Sequence, residues 1–334
     1  MAEPGFEFMH QQIKDLTPAL RIKEGQDFWE WQKAAREKLR ELLGLDLFTP
    51  CDPKLEICWE KEKNGVREIR FTFESEAGCR IPCHLLLPKN PNPTPVICLQ
   101  GHSTGMHISL GRPRYPGDEE TIRGDRDFAV QAVNRGFAAI AMEQRYMGEC
   151  GGSENGPGCV HNQALPALLE GKCAIGQRVW DIMRLIDVLE ASFSQYFSVE
   201  KLVCMGNSGG GTATFYAACM EERIAFAMVS CAFCTFADSI AAMPHCACNY
   251  IPGIARWFDM GDLSGLIAPR KLLAAAGRED GIFPLDGVRE SFAITQSLFR
   301  KAGCPENCRL LVGEGGHRFY GKESWALYEE MNRG

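Results

Sequence analysis

From residue 95 onward, short apolar runs alternate with longer stretches in which apolar residues recur at helical spacing. The apolar runs predict six strands, at residues 95–100, 137–142, 201–206, 226–232, 271–277 and 308–314. The stretches between them predict five helices, at residues 124–135, 176–192, 209–221, 286–302 and 323–332. Because strands that are apolar at nearly every position need cover on both faces, this alternation predicts an α/β fold with a mostly parallel sheet and helices on both sides.

The chain before residue 95 follows two other patterns. Residues 27–43 have the apolar spacing of a helix, and Gly44 follows them as a stop signal. Residues 55–88 alternate between apolar and polar positions and are interrupted by Asn64-Gly65 and Ala77-Gly78. Such pairs are typical of hairpin turns, so this region predicts antiparallel strands that lead into the sheet.

These patterns predict the organisation of the chain. We expect an N-terminal helical extension over residues 1–50 and one α/β domain over residues 51–334. Residues 233–268 are too long for an ordinary connection and too apolar for a disordered one, so they predict a lid or a pocket wall inserted in the domain. The helix at residues 27–43 carries Trp29 and Trp31 and is a candidate cap or subunit interface, which leaves a homo-oligomer open.

Composition excludes several classes of protein. The net charge of the 334 residues is −7, and the chain has no dense basic run, so a nucleic-acid binder is not expected. No uncharged segment is long and apolar enough to span a membrane. No secretory signal pattern is visible, and the 16 scattered cysteines fit buried thiols in a reducing compartment, which together predict a cytoplasmic protein.

Two segments match G-x-S-x-G, the pattern that places a nucleophilic serine on a sharp turn between a strand and a helix. Ser208 follows the apolar run at residues 201–206 and precedes a predicted helix, as the turn requires. Ser103 also follows a strand, but the glycine and prolines of residues 106–116 predict no helix after it. Ser208 is therefore the candidate nucleophile; the alternative is a glycine-rich turn kept for packing.

A serine hydroxyl needs an imidazole base, and the imidazole needs a carboxylate to fix its tautomer. On this type of sheet the chain order is serine, acid, histidine. His317 lies just after the last predicted strand, between flexible glycines, and is the candidate base. Asp280 follows the strand before it and is the candidate acid, with Glu279 as its competitor.

Two backbone amides are expected to bind the oxyanion that forms during acyl transfer. One belongs to Gly209, directly after the nucleophile, and the other to His102, in the loop after the first parallel strand. Gln144 and Arg145 end the next strand and are candidates for substrate binding or for a structural ion pair. His245, within the predicted insertion, is a further pocket candidate.

Cys231-x-x-Cys234 and His245-Cys246-Ala247-Cys248 have spacings that resemble zinc sites. Cys231 falls inside a predicted buried strand, however, and serine hydrolysis needs no metal, so we expect neither a metal nor a cofactor. Pattern matches for nucleotide phosphates or zinc peptidases are also missing from the sequence.

Four segments together resemble the acetyl xylan esterase-like branch of the α/β hydrolases, close to the dienelactone hydrolases. They are GNSGGGT (206–212), CNYIPGI (248–254), residues 262–292 and GGHRFY (315–320). The resemblance implies an eight-stranded α/β-hydrolase sheet and hydrolysis of carboxylic esters, with Ser208, Asp280 and His317 as nucleophile, acid and base. Dienelactone hydrolases use a cysteine nucleophile, so the serine here argues against a dienelactone substrate.

The sequence therefore predicts a serine esterase that forms an acyl-enzyme with a small ester or an oligosaccharide ester. Two other functions are weighed against it. A peptidase related to the prolyl oligopeptidases would use the same serine, but it usually carries a gating domain for which the first 50 residues are too short. A hydrolase fold kept only for binding would usually lack one member of the serine, acid and histidine set, and all three positions are filled here.

Overall fold

A computed structural model describes residues 4–151 and 163–333. The centre of this structure is a nine-stranded sheet with the strand order β1-β2-β3-β5-β4-β6-β7-β8-β9. The strands are β1 (Glu56–Lys63), β2 (Val66–Glu76), β3 (Cys79–Leu87), β4 (Pro95–Leu99), β5 (Ala138–Met142), β6 (Leu202–Asn207), β7 (Ile224–Ser230), β8 (Lys271–Gly277) and β9 (Cys308–Gly313). Strands β4 to β9 are parallel to one another, and β1 to β3 are antiparallel.

Seven helices of seven or more residues lie in the described parts of the chain. They are α1 (Pro4–Lys14), α2 (Phe28–Leu42), α3 (Phe128–Asn134), α4 (Ala174–Ser192), α5 (Gly209–Met220), α6 (Leu285–Lys301) and α7 (Gly321–Met331). Four-residue helical turns occur at Met106–Ser109, Asp118–Thr121 and Met260–Leu263. None of the helices in these ranges is both long enough and apolar enough to cross a membrane.

The structure confirms the α/β class and all six predicted parallel strands to within two residues. The sheet has nine strands, however, and not the eight that the resemblance implied. The additional strand comes from the predicted hairpin, in which Asn64 and Gly65 both have positive φ (54° and 79°) and reverse the chain tightly. This turn allows β1 to pair antiparallel with β2 and to extend the sheet by one strand at its edge.

Apolar side chains cover both faces of the sheet, as the continuous apolar strands require. Ile97 and Leu99 of β4 belong to one cluster, together with residues of α2, α4, α5 and α6. Val96 and Cys98 of the same strand point to the other face and pack with residues of α3 and α7. Helix α3 begins at Phe128, later than predicted, because Asp125 has a φ of 63° and interrupts the helical path.

Helix α2 is anchored to the body of the protein. The Asp27 side chain caps its N-terminus by accepting hydrogen bonds from the backbone of Trp29 and Glu30. Trp31 is 1% exposed, and Gln32 donates hydrogen bonds to two backbone carbonyls of residues 265 and 268. Trp29, by contrast, is 48% exposed, so the two tryptophans differ in environment.

Candidate active site

Ser208 lies on the turn between β6 and α5, in a backbone conformation that serine rarely adopts. Its φ and ψ are 54° and −123°, and its amide donates a 2.9 Å hydrogen bond to the carbonyl of Ser230. The neighbouring glycines make the turn sterically feasible. A Cβ atom on Gly206 would lie 2.3 Å from the carbonyl oxygen of Gly210, and one on Gly210 would lie 2.2 Å from that of Leu99. The glycine spacing of the motif is thus required by backbone packing.

Asp280 and His317 follow β8 and β9, whose carboxyl ends meet at the same edge of the sheet as that of β6. The Nδ1 atom of His317 lies 2.9 Å from Oδ2 of Asp280. The other carboxylate oxygen accepts hydrogen bonds from the amides of Ile282 and Phe283, at 2.8 and 3.1 Å. Asp280 is buried and contacts the imidazole, whereas its sequence competitor Glu279 is exposed.

The environment of Asp280 favours its ionised form. Burial of the side chain raises its pKa, but the hydrogen bond and charge of His317 and the two backbone amides outweigh burial, and the net pKa is lowered. The His317 ring also stacks on Phe283 with ring centres 5.9 Å apart. The imidazole is therefore held at one nitrogen and along one face, which leaves Nε2 as its free reactive position.

Ser208 and His317 line one cavity of about 290 Å³. Its described lining residues are His102, Ser208, Gly209, Thr212, Met243, Pro244, His245, Cys246, Asn249, Ile282, Phe283 and His317. Among the described residues the Ser208 hydroxyl makes no hydrogen bond to His317. Contacts between nucleophile and base often tighten only when substrate binds, so this geometry is compatible with serine chemistry.

Gly209 and His102, whose amides are expected to bind an oxyanion, line the same cavity as Ser208. Gly209 is the first residue of α5, and the amides of a first helical turn have no acceptor within the helix. The His102 imidazole packs against Gly209, where an added Cβ would lie 2.6 Å from the ring.

The His102 ring also contacts a cysteine: its Nε2 atom lies 2.9 Å from Sγ of Cys248, and Arg178 donates to the same sulfur at 3.4 Å. Burial and the positive charge of Arg178 lower the pKa of His102 to about 3, so this ring is neutral.

The loop that carries His102 is fastened by several buried hydrogen bonds. Arg126 donates to Oε1 of Gln100 from Nε and Nη2, at 3.0 and 2.8 Å, and Gln144 donates to the Gln100 carbonyl at 2.6 Å. Glu143 accepts hydrogen bonds from the amides of Met106 and Glu149. These contacts fix the path of residues 100–106 beside the nucleophile.

Arg126 was missed by the sequence analysis, and its charge is not neutralised locally. No carboxylate forms an ion pair with Arg126 in the described part of the chain, and burial lowers its pKa to about 10. Gly101 lies between Arg126 and Ser208. A Cβ atom added to Gly101 would be 2.9 Å from Nη2 of Arg126 and 3.2 Å from the Cβ atom of Ser208. A positive charge therefore lies close to the side chain of Ser208.

Other candidates lie in places different from those expected. Gln144 and Arg145 do not line the Ser208 cavity. Arg145 forms a buried ion pair with Asp181, in which Nε and Nη2 lie 2.8 and 2.7 Å from the two carboxylate oxygens. Of the two expectations for Arg145, substrate binding or a structural ion pair, the contacts therefore agree with the ion pair. The expectation that no helix begins after Ser103 is also wrong, because one helical turn forms at Met106–Ser109. That turn is short enough to end before the glycine and prolines that follow it.

Residues 243–249 of the predicted insertion form one wall of the cavity. His245 lines it as expected, and burial together with the nearby His317 lowers its pKa. Asn249 also lines it, and no function was assigned to this residue from the sequence, although it belongs to the CNYIPGI segment. The resemblance marked that segment, but only its three-dimensional path shows which of its side chains reaches the cavity.

The cysteines that resembled a zinc site have separate partners. Sγ of Cys231 donates to the carbonyl of Arg318 and lies within 4.8 Å of ligand atoms of Asp280 and His317. Cys234 donates instead to the carbonyl of Pro284. Burial and the charge of Asp280 raise the pKa of Cys231 to about 12, so this thiol stays protonated beside the carboxylate.

Comparisons with known proteins agree with this architecture. A family model with the description "Abhydrolase family" matches residues 5–310. The Bacillus subtilis (strain 168) protein "Putative hydrolase YtaP" is 21% identical over 262 residues, which cover 77% of this chain and 84% of that protein.

Solved esterase structures share the fold. The crystal structure named "putative acetyl xylan esterase" from Bacteroides fragilis NCTC 9343 has a TM-score of 0.76 at 17% identity, covering 97% of this chain and 84% of its own. A glucuronoyl esterase from Solibacter usitatus has a TM-score of 0.70 at 15% identity, covering 96% and 98%. At such identities the likeness shows the fold of the chain.

Proposed function

Since this chain belongs to the Abhydrolase family, we propose that it is a serine-dependent hydrolase of carboxylic esters. Ser208 is the nucleophile, His317 the general base and acid, and Asp280 the carboxylate that orients the imidazole. One observation carries the proposal: His317, which is hydrogen-bonded to Asp280, lines the same cavity as a serine on a strained turn. Strain of this kind is maintained where the surrounding structure holds a functional side chain in place.

The reaction follows from the protonation of His317. Because the ionised carboxylate of Asp280 can only accept a hydrogen bond from Nδ1 of His317, the proton of the neutral imidazole lies on Nδ1. Nε2 is then free to act as a base. Nε2 takes the proton of Ser208 as its oxygen forms a bond to the ester carbonyl carbon, and the amides of Gly209 and His102 bind the resulting oxyanion. The C–O bond to the alcohol then breaks, and the alcohol leaves with the proton held on Nε2.

The second half of the reaction repeats these steps with water. Nε2 of His317 accepts a proton from a water molecule, whose oxygen attacks the acyl carbon of the Ser208 ester. The tetrahedral intermediate collapses, the acid leaves, and Ser208 recovers its proton. The buried thiol of Cys231 stays protonated throughout, so it adds no second negative charge beside Asp280.

We propose a small ester or an oligosaccharide ester, such as an acetylated sugar, as substrate. Two of the solved neighbours are named as a putative acetyl xylan esterase and a glucuronoyl esterase, and both names refer to esters of carbohydrates. The cavity at Ser208 fits such a group because it combines an apolar wall with polar side chains from His245 and Asn249.

Labelling with a fluorophosphonate, followed by mass mapping of the adduct, tests the proposal. We expect the wild-type protein to be labelled on Ser208 and Ser208→Ala to remain unlabelled. Ser103→Ala is the matched control, because Ser103 lies in the second G-x-S-x-G segment and is exposed. This control protein should be labelled like the wild type; loss of labelling in Ser103→Ala alone would assign the nucleophile to Ser103 and overturn the proposal.

Turnover separates ester from peptide hydrolysis. Wild-type protein should hydrolyse 4-nitrophenyl acetate, and Ser208→Ala should lower kcat by about 10⁴- to 10⁶-fold. Peptide 4-nitroanilides assayed in parallel should be poor substrates. Faster hydrolysis of the anilides would favour the peptidase alternative, and labelling without any turnover would favour a protein that retains an activated serine for another acyl transfer.

A further inference from the structure

A chain of three polar side chains runs along the wall of the Ser208 cavity. Oγ of Ser239 lies 2.7 Å from the carbonyl oxygen of Ile282 and 3.3 Å from Nε2 of His245. Nδ1 of His245 lies 3.3 Å from Nδ2 of Asn249. All three side chains are buried, so their hydrogen-bond partners must be found inside the protein or in a bound molecule.

The proton positions in this chain follow from its first member. A carbonyl oxygen can only accept, so Ser239 donates its single proton to Ile282. Ser239 can then only accept from Nε2 of His245, which places the proton of the neutral imidazole on Nε2. Nδ1 of His245 is therefore an acceptor, and Asn249 must turn its NH₂ group toward it. The lowered pKa of His245 agrees with a neutral ring.

This order leaves Oδ1 of Asn249 without a donor. Asn249 is 5% exposed, and its Oδ1 has no hydrogen-bond partner among the described residues. A buried acceptor left without a donor destabilises a protein, so such atoms are rare in native structures and call for an explanation. Asn249 lines the same cavity as Ser208, where a bound substrate would place its own polar groups.

We propose that Oδ1 of Asn249 accepts a hydrogen bond from a hydroxyl group of the substrate, so that the site selects esters of hydroxylated rings such as partly acetylated sugars. The cavity of about 290 Å³ holds roughly ten water-sized volumes of ~30 Å³, far more than an acetyl methyl group occupies. Met243, Ile282 and Phe283 supply its apolar wall, against which the carbon face of such a ring packs. The inference rests on the proposed ester hydrolysis for the class of ligand.

Binding to the inactive Ser208→Ala protein tests this inference without turnover. The probes are the 2-, 3- and 4-monoacetates of methyl β-D-xylopyranoside, with cyclohexyl acetate as the ring ester that lacks hydroxyls. The readout is the ratio of the dissociation constant of cyclohexyl acetate to that of the best monoacetate, measured by ligand-observed NMR. Adding Asn249→Leu should lower this ratio by about tenfold or more, since a hydroxyl then faces an apolar side chain.

Two further variants define the cause. Asn249→Asp keeps an acceptor oxygen and should preserve more of the ratio than Asn249→Leu. Asn134→Leu is the matched control, because it makes the same exchange at an exposed side chain that does not line the Ser208 cavity, and its ratio should equal that of Ser208→Ala. Equal melting temperatures and equal binding of cyclohexyl acetate identify folded variants.

The two proposals fail in different ways. A ratio that is unchanged by Asn249→Leu in a folded protein overturns the role of Asn249, whatever the wild-type enzyme hydrolyses. Absence of Ser208-dependent turnover of 4-nitrophenyl acetate overturns ester hydrolysis, while a ratio that depends on Asn249 would still assign a site for hydroxylated rings.

Discussion

Gly210 lies so close to the end of β4 that a Cβ atom on it would be 2.2 Å from the Leu99 carbonyl oxygen. Since the group in the way is backbone, it cannot rotate aside. We expect Gly210→Ala to lower the free energy of unfolding by about 3 kcal/mol and to displace Ser208. Urea unfolding and ester turnover measure the two effects. Gly124→Ala is the control, because nothing lies within 4 Å of its Cβ position, and equal stability of both variants would contradict the packing argument.

The proposed role of Asp280 is to hold the His317 imidazole through its carboxylate, so replacing that group tests this role. Asp280→Asn should lower kcat by about 10⁴-fold, because an amide at this position stabilises the wrong tautomer of the imidazole. The exposed neighbour Glu279 serves as control, and Glu279→Gln should retain turnover. Hydrolysis of 4-nitrophenyl acetate by both proteins provides the comparison; a larger loss in Glu279→Gln would exchange the two assignments.

At the level of single residues, the sequence was informative where function depends on a local pattern. Ser208, Asp280 and His317 each follow a strand that is mostly apolar, so their common edge could be predicted before the structure was known. Asn249 and Arg126 lie outside the long helices and strands; the cavity that Asn249 lines and the Gln100 side chain that Arg126 contacts belong to distant parts of the sequence. Which irregular residue reaches a cavity depends on tertiary packing, which neither periodicity nor spacing encodes.

Among the elements, the loop after β4 depends on Arg126 for its position beside Ser208. Arg126→Leu removes both hydrogen bonds to Gln100 and a positive charge near the oxyanion site. We expect kcat/KM for 4-nitrophenyl acetate to fall by about 10²-fold, since small displacements of catalytic groups have effects of this size.

A second arginine of the same segment provides the control for this prediction. Arg123 precedes Arg126 in the segment that leads into α3, and its side chain is exposed. Turnover of Arg123→Leu should therefore equal that of the wild type. Equal activity of the Arg126 and Arg123 variants would contradict the positioning role of Arg126.

Glu143 makes the attachment of the same loop sensitive to pH. Burial raises the pKa of this carboxyl to about 8, against the hydrogen bonds from Glu149 and Met106, and its unfolded value is 4.5. The folded state therefore holds the proton more tightly than the unfolded state. The stability linked to Glu143 is fully present below pH 4.5 and is lost as the pH rises toward 8.

Glu143→Gln removes this titration. The difference in free energy of unfolding, wild type minus Glu143→Gln, should decline between about pH 5 and pH 8. Urea unfolding of both proteins across this range measures it. A difference that stays constant over this range would contradict the raised pKa, because it would mean that Glu143 is already ionised in the folded protein at pH 5.

The elements themselves were largely predictable, and the exceptions have local causes. Strands with continuous apolar residues and helices with one apolar face gave boundaries within two residues in most cases. The late start of α3 reflects the positive φ of Asp125, which no periodicity reveals. The hairpin at Asn64-Gly65 contributes two strands, β1 and β2, to the main sheet. Both belong to that sheet because β2 pairs with β3, and the sequence pattern does not reveal this pairing.

For the whole molecule, Trp31 of α2 joins the N-terminal region to the segment at residues 264–266. A Cβ atom on Gly265 would lie 2.7 Å from the Trp31 ring, which shows how closely the two segments pack. We expect Trp31→Ala to lower the free energy of unfolding by about 3–5 kcal/mol, because it leaves a large buried cavity. Trp29→Ala is the control, since Trp29 is 48% exposed. Equal urea midpoints for both variants would contradict the anchoring role of α2.

The additional strand β1 has a consequence for the behaviour of the protein in concentrated solution. An open edge strand presents unpaired amides and carbonyls to other chains, and this is a common route to aggregation. Seven of the eight residues of β1 are exposed, and its sequence, EICWEKEK, places charged side chains along that edge. An irregularity between Ile57 and Trp59 also breaks the regular pairing pattern. A strand from a second molecule would have to desolvate these charges and match this irregularity, so β1 protects the sheet against edge-to-edge growth.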